Sequence, residues 1–127
     1  MDNDYVKIQR FSDLYAWQEG HELVILIYEI TKNFPRDEIY GLINQMRRSS
    51  VSVTSNIAEG FSRKTAKDKS HFYYMSKGSL TELQDQLYVA RDVGYINESE
   101  FEKCYTKSIK VHKLINSIIV SCNKHFQ

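Results

Sequence analysis

A chain of 127 residues with 42% hydrophobic and 26% charged residues has the size and composition of one globular domain with a single core. Five glycines and one proline supply too little turn chemistry for a sandwich or barrel, so long helices with short links are expected. A formal net charge of +1 predicts no polyanion partner by itself, and no apolar run approaches the ~20 residues of a membrane span.

The opening MDNDYVKIQRF is acidic and has no apolar stretch, which predicts no secretion signal and a cytoplasmic location. The first helix is predicted over about 13–33, with Ser12 as N-cap. Its apolar stripe comprises Leu14, Trp17, Leu23, Val24, Ile27, Tyr28 and Ile30 at 3–4 spacing. Pro35 ends it, because the residue before a proline is pushed out of helical geometry.

The second helix is predicted over 37–60, from an Asp37 cap to a left-handed stop at Gly60. Ile43, Met46, Ser50, Val53 and Ile57 form its apolar seam. Val51 and Val53 alternate with serines, but that alternation is short and the helical period runs on both sides of it. Opposite the seam, Gln45, Ser49, Ser52, Asn56, Glu59 and Arg63 repeat at 4-3-4-3-4 spacing. Serine, glutamine and asparagine there admit close approach of another helix, in one of two ways: a tight crossing within the chain, or a subunit interface. Gly60 closes that stretch, and Glu59 is placed to pair with Arg63 four residues on.

The third helix, about 66–93, opens with Thr65 and Asp68 in an approximate capping box and closes at Gly94. Asn97 and Glu100 form a fuller box for the fourth, about 98–123. Gly41 and Gly78 fall inside predicted helices, where glycine costs ~1 kcal/mol against alanine. Tyr73, Tyr74, Tyr88 and Tyr105 read as exposed aromatics, a composition enriched at interfaces. Four helices with short links give an all-α fold, an antiparallel up-down-up-down four-helix bundle.

Several chemistries have no carrier here. No phosphate-binding glycine loop, metal-ligand pair or G-x-S-x-G elbow occurs, so no enzyme, cofactor or metal site is expected. Cys104 and Cys122 lie five helical turns apart, ~27 Å, beyond disulfide reach, and read as buried small apolar residues. Charge is unevenly distributed: residues 1–30 hold six acids against Lys7 and Arg10, whereas 103–127 hold five lysines and no acid. The bases form three sets: Arg47 and Arg48; Arg63, Lys64, Lys67 and Lys69; and Lys103, Lys107, Lys110 and Lys113. Phosphate binding needs cations spaced along a backbone; the bland alternative is a solvated lysine face.

The strings D-L-x-x-W-Q (from Asp13), F-P-x-x-E-x-Y-G-L (from Phe34), Q-x-R-R (from Gln45), N-I-A-E-G (from Asn56) and G-S-x-x-E-L (from Gly78) are collectively specific. With them the chain resembles, from Phe11 to about Leu114, the "S23 ribosomal protein" family encoded within intervening sequences of bacterial 23S ribosomal RNA genes. The resemblance implies an antiparallel four-helix bundle assembled as a homopentameric ring, with no established catalytic activity. A related branch of the family comprises the accessory proteins of diversity-generating retroelements, which bind nucleic acid and a reverse transcriptase through basic surfaces. Those are strongly basic, and a net charge of +1 sets this chain apart from them. Resemblance and clustered charge together nominate Arg47, Arg48, Arg63, Lys64, Lys67 and Lys69 as phosphate contacts to structured RNA. The alternative is a ring-shaped scaffold for a protein partner.

Overall fold

A computed structural model describes residues 7–125, and among them every regular element is helical. Four long helices carry the fold: α1 (Tyr15–Thr31), α2 (Leu42–Ser62), α3 (Ala66–Asp92) and α4 (Glu98–His125). Packing runs α1 on α2, α2 on α3, α3 on α4 and α4 back on α1. One core lies between them, with Leu23, Ile27, Met46, Val53, Ile57, Leu80, Leu83, Leu87, Val111 and Ile115 all essentially without solvent exposure. No helix among the described residues is long and apolar enough to cross a membrane.

The helix starts differ from the expectations where a side chain reaches back. Ser12 does not cap α1; it lies in a short 3-10 turn, Phe11–Asp13, and the helix begins three residues later. The Asp13 carboxylate accepts from the N–H groups of Gln9 (2.9 Å) and Arg10 (3.1 Å), which closes that turn ahead of the helix. Asp37 likewise does not cap α2. It falls in a 3-10 turn, Arg36–Glu38; the N-cap position is Gly41, and the first N–H of α2, on Leu42, is taken by Glu38 Oε1 at 3.0 Å. Gly41 therefore precedes α2 instead of lying inside it, and a Cβ there would meet Glu38 Oε1 at 2.6 Å. The second Glu38 oxygen accepts from the Tyr95 hydroxyl at 2.8 Å, tying the α1–α2 link to the α3–α4 link.

Gly60 is not the left-handed stop of α2. The helix continues to Ser62, and Gly60 is buried where the Tyr73 ring lies against it. Tyr73 is consequently a core residue at 4% exposure, not an exposed aromatic, and burial pushes its hydroxyl up to about 12. The ends of α3 and the start of α4 follow local rules. Thr65 Oγ1 accepts from the Asp68 N–H (3.1 Å), and Gly94 takes the left-handed conformation (φ 86°) that ends the helix. Asn97 and Glu100 exchange their two capping bonds at 2.8 and 2.9 Å.

Candidate nucleic-acid interface

The six nominated cations fall into two separate regions of α2 and its exit. Arg47 and Arg63 are sixteen residues apart, ~24 Å along a helix. Arg47 is half-buried: its Nε donates to Thr31 Oγ1 at 2.9 Å, and its guanidinium lies 4.6 Å over the Tyr28 ring. That side chain fastens α2 to α1. Arg48, one position on, is exposed.

At the α2–α3 link, Arg63 Nη2 pairs with Glu59 Oε2 at 2.7 Å and its guanidinium sits 4.6 Å over Phe72. The pairing anticipated from the i,i+4 spacing is thus present. Lys69 Nζ donates to the Phe61 carbonyl at 2.7 Å, which satisfies an α2 carbonyl near its end. Lys64 and Lys67 are exposed, and among the described residues no carboxylate stands within ion-pair distance of either. Of the six cations, only Arg63 is ion-paired among the described residues, and Arg48, Lys64 and Lys67 are the ones that also make no side-chain hydrogen bond or ring contact there.

The small polar face of α2 is divided. Ser49 is buried, and the hydroxyls of Ser52 and Ser79 on α3 share a hydrogen bond at 2.8 Å, so this part is a crossing within the chain and does not lie opposite the core. Asn56 Nδ2 donates to Ser52 O at 2.9 Å and stays with its own helix. Gln45 and Glu59 are exposed. Asn44, Gln45, Arg48, Ser49, Ser52, Ser79 and Glu82 line a shallow groove of about 310 Å³ between α2 and α3.

The lysines of α4 do not form a free stripe. Lys107 Nζ bridges Glu19 (2.7 Å) and Glu22 (2.8 Å), and Lys110 reaches Glu19 at 3.3 Å. The acids concentrated near the beginning of the sequence thus neutralise bases concentrated near its end. The bonds from Lys107 and Lys110 hold the Glu19 carboxyl below its usual 4.5, against opposing desolvation, and Lys107 is raised in turn above 10.5. A carboxyl lowered by folding contributes stability that is full above pH ~4.5 and is lost as pH falls through the folded value. The raised Lys107 contributes fully below pH ~10.5 and loses its share as pH rises through its own folded value. Glu19→Gln is expected to cost under about 1 kcal/mol at pH 7 and to flatten the acid limb of stability, read from urea midpoints at pH 7 and pH 3.

Among the described residues no three His, Cys, Asp or Glu side chains converge as metal ligands. Glu59 and His71 are both exposed. Cys104 and Cys122 are both buried and unpaired.

One surface went unnoticed in the sequence. Behind Pro35, a groove of about 700 Å³ is lined by Thr31, Lys32, Phe34, Arg36, Ile39, Tyr40, Ile43, Asn44 and Arg47. Three of these are cations and none is a carboxylate. Tyr40 is 94% exposed, far more than the partly covered Tyr28 or Tyr88. The only available signal was an aromatic between basic residues in a link, which is too weak to distinguish from an ordinary turn.

The fold has a solved relative. A protein of unknown function from the S23 ribosomal protein family of Bacteroides thetaiotaomicron superposes with a TM-score of 0.74 over 82% of this chain and 97% of its own, at 21% identity. At that identity the likeness speaks for the fold alone. No match was found among curated proteins. The family model described as 23S rRNA-intervening sequence protein matches residues 12–117. Its span starts at the turn before α1, covers α2 and α3 with their links, and ends well into α4, so the chain belongs to the 23S rRNA-intervening sequence protein family.

Proposed function

We propose that this protein is a non-enzymatic, cytoplasmic, antiparallel up-down-up-down four-helix bundle that assembles as a homo-oligomer and associates with structured RNA through basic surfaces. The observation that carries the RNA reading is the pair Lys64 and Lys67, exposed at the α2–α3 link and, among the described residues, without carboxylate partners, whereas Lys107 and Lys110 of α4 are neutralised by Glu19 and Glu22. Unneutralised cations near one another are what a phosphate backbone requires. The antiparallel order is supported by contacts between links. The Phe34 and Tyr95 rings approach to 5.1 Å, and Ser70 near the start of α3 donates to Asn123 near the end of α4 at 2.8 Å.

The resemblance to the S23 proteins implies a homopentamer, in which each modest basic patch repeats around a ring. Sedimentation at micromolar concentration is expected to give a species several times the 14.9 kDa chain mass, and a monomer would overturn the assembly. Gel-shift titration against structured RNA is expected to show affinity that falls steeply with salt. Replacing Lys64 and Lys67 together by glutamine should flatten that slope by about 1.4–1.8 units, and absence of binding at low salt would reject the RNA reading.

A second reading, a scaffold for a protein partner, is favoured by one feature. The half-exposed Tyr28 and Val51 line a shallow groove of about 430 Å³ between α1 and α2. A partner retained in a pull-down after nuclease treatment would support it.

A further inference from the structure

The groove behind Pro35 has a composition different from the rest of the surface. Its cations come from three elements: Lys32 follows the last turn of α1, Arg36 begins the link, and Arg47 lies in the second turn of α2. Arg47 engages Thr31 through Nε and lies over the Tyr28 ring, and among the described residues no carboxylate neutralises it, so its charge is available at the groove it lines. Neither acid of the link lines the groove, and Glu38 is held by Leu42 and Tyr95.

The aromatic at its rim is as unusual as its charge. At 94%, Tyr40 is the most exposed aromatic among the described residues, ahead of Tyr15 at 62% and Tyr74 at 55%, and it offers a ring face to a flat partner. Asn44, exposed in the same lining, carries both a donor and an acceptor in one side chain.

We infer that this groove is a single-stranded RNA site, in which an unpaired base stacks on Tyr40 while Lys32, Arg36 and Arg47 take the flanking phosphates. The inference rests on the RNA reading above and assigns that reading a second, base-contacting site remote from Lys64 and Lys67. Single strand is favoured over duplex because a stacking platform needs a base face, and a duplex covers its base faces with neighbouring pairs. The three-cation lining, with no carboxylate, is complementary to a backbone carrying one charge per nucleotide. Tyr40 and Asn44 supply what a simple phosphate patch does not need.

The test is fluorescence anisotropy with the full chain and a labelled single-stranded oligouridylate, beside a blunt RNA duplex of equal length. The single strand is expected to bind more tightly than the duplex. Tyr40→Ala is expected to weaken oligouridylate binding roughly tenfold, whereas Tyr40→Phe keeps it, since stacking uses the ring and not the hydroxyl. Lys32→Gln with Arg36→Gln should reduce the slope of log affinity against log salt by about 1.4. These side chains are exposed, so folding is not at stake. If Tyr40→Ala binds as the parent does while Lys64→Gln with Lys67→Gln weakens binding, this site is refuted and the broader RNA reading stands. If the parent binds neither RNA, both fall. If a poly-glutamate–tyrosine copolymer binds in a Tyr40-dependent way and oligouridylate does not, the occupant is an acidic peptide and the inference is overturned.

Discussion

Replacing Gly60 by alanine is expected to lower the melting temperature by roughly 4–8 °C, the opposite of what the same change does on an open helix. Helix propensity favours alanine by ~1 kcal/mol. At Gly60, however, a Cβ would stand 2.6 Å from Tyr73 Cε1, 2.8 Å from its Cδ1 and 3.1 Å from the Phe72 Cβ. Tyr73 is itself buried at 4% exposure, so its ring has no solvent to swing into. Contacts this short put the overpacking cost in the upper part of the usual range, ~2–3 kcal/mol, so the net loss is about 1–2 kcal/mol for alanine, more for valine. Gly78 provides the control. It lies in α3 with nothing within 4 Å of a new Cβ, so Gly78→Ala should stabilise by up to ~1 kcal/mol. A double-mutant cycle with Tyr73→Leu should recover part of the Gly60→Ala loss, because the two effects share one contact. Equal stabilisation at both glycines would refute the close α2–α3 approach.

Truncating Leu83 should be more damaging still. Its side chain has no exposure and stands in the middle of α3 within the shared core. Leu83→Ala removes buried methyl groups and leaves a cavity that four helices cannot close independently, at a cost of about 2–5 kcal/mol. For a domain whose whole stability is of the order of 5–15 kcal/mol, that is a large share. The urea midpoint should fall with the slope unchanged, whereas Leu83→Met, close in volume, should cost under about 1.5 kcal/mol. A Leu83→Ala loss below 1 kcal/mol would mean that the core is looser than its burial implies.

What the residues disclosed in advance depended on how far each interaction reaches along the chain. The all-α composition, the Thr65 cap and the Asn97–Glu100 box were legible because every partner lies within four positions. Glu59 with Arg63 was legible for the same reason. The start of α2 was misplaced because Asp37 is the better cap residue by type, while Glu38 has the longer side chain and reaches the Leu42 N–H. Gly60 was misassigned because end-of-helix glycines are common, and its actual reason is a tyrosine ring thirteen residues away. The apparent lysine stripe of α4 is interrupted because Glu19 and Glu22, 88 and 85 positions earlier, are brought against Lys107. Among the candidate site residues, sequence spacing grouped six cations, and geometry assigned Arg47, Arg63 and Lys69 to rings, carbonyls and a carboxylate of the chain itself. Tyr40 went unremarked because exposure belongs to the fold and leaves no trace in local spacing.

The double engagement of Glu38 also bears on the order in which the chain acquires its structure. Its bond to Leu42 closes over four residues and can form as soon as that segment exists, while its bond to Tyr95 spans 57. During synthesis from the N-terminus, α1 and α2 emerge with the first link capped on one oxygen only, and the second oxygen waits for the end of α3. The late closure carries a loop-entropy cost that the early one does not. The α1–α2 pair is therefore able to form before the rest of the chain, held at that end by Arg47 on Thr31, and the Glu38–Tyr95 bond is added only once α3 has been made.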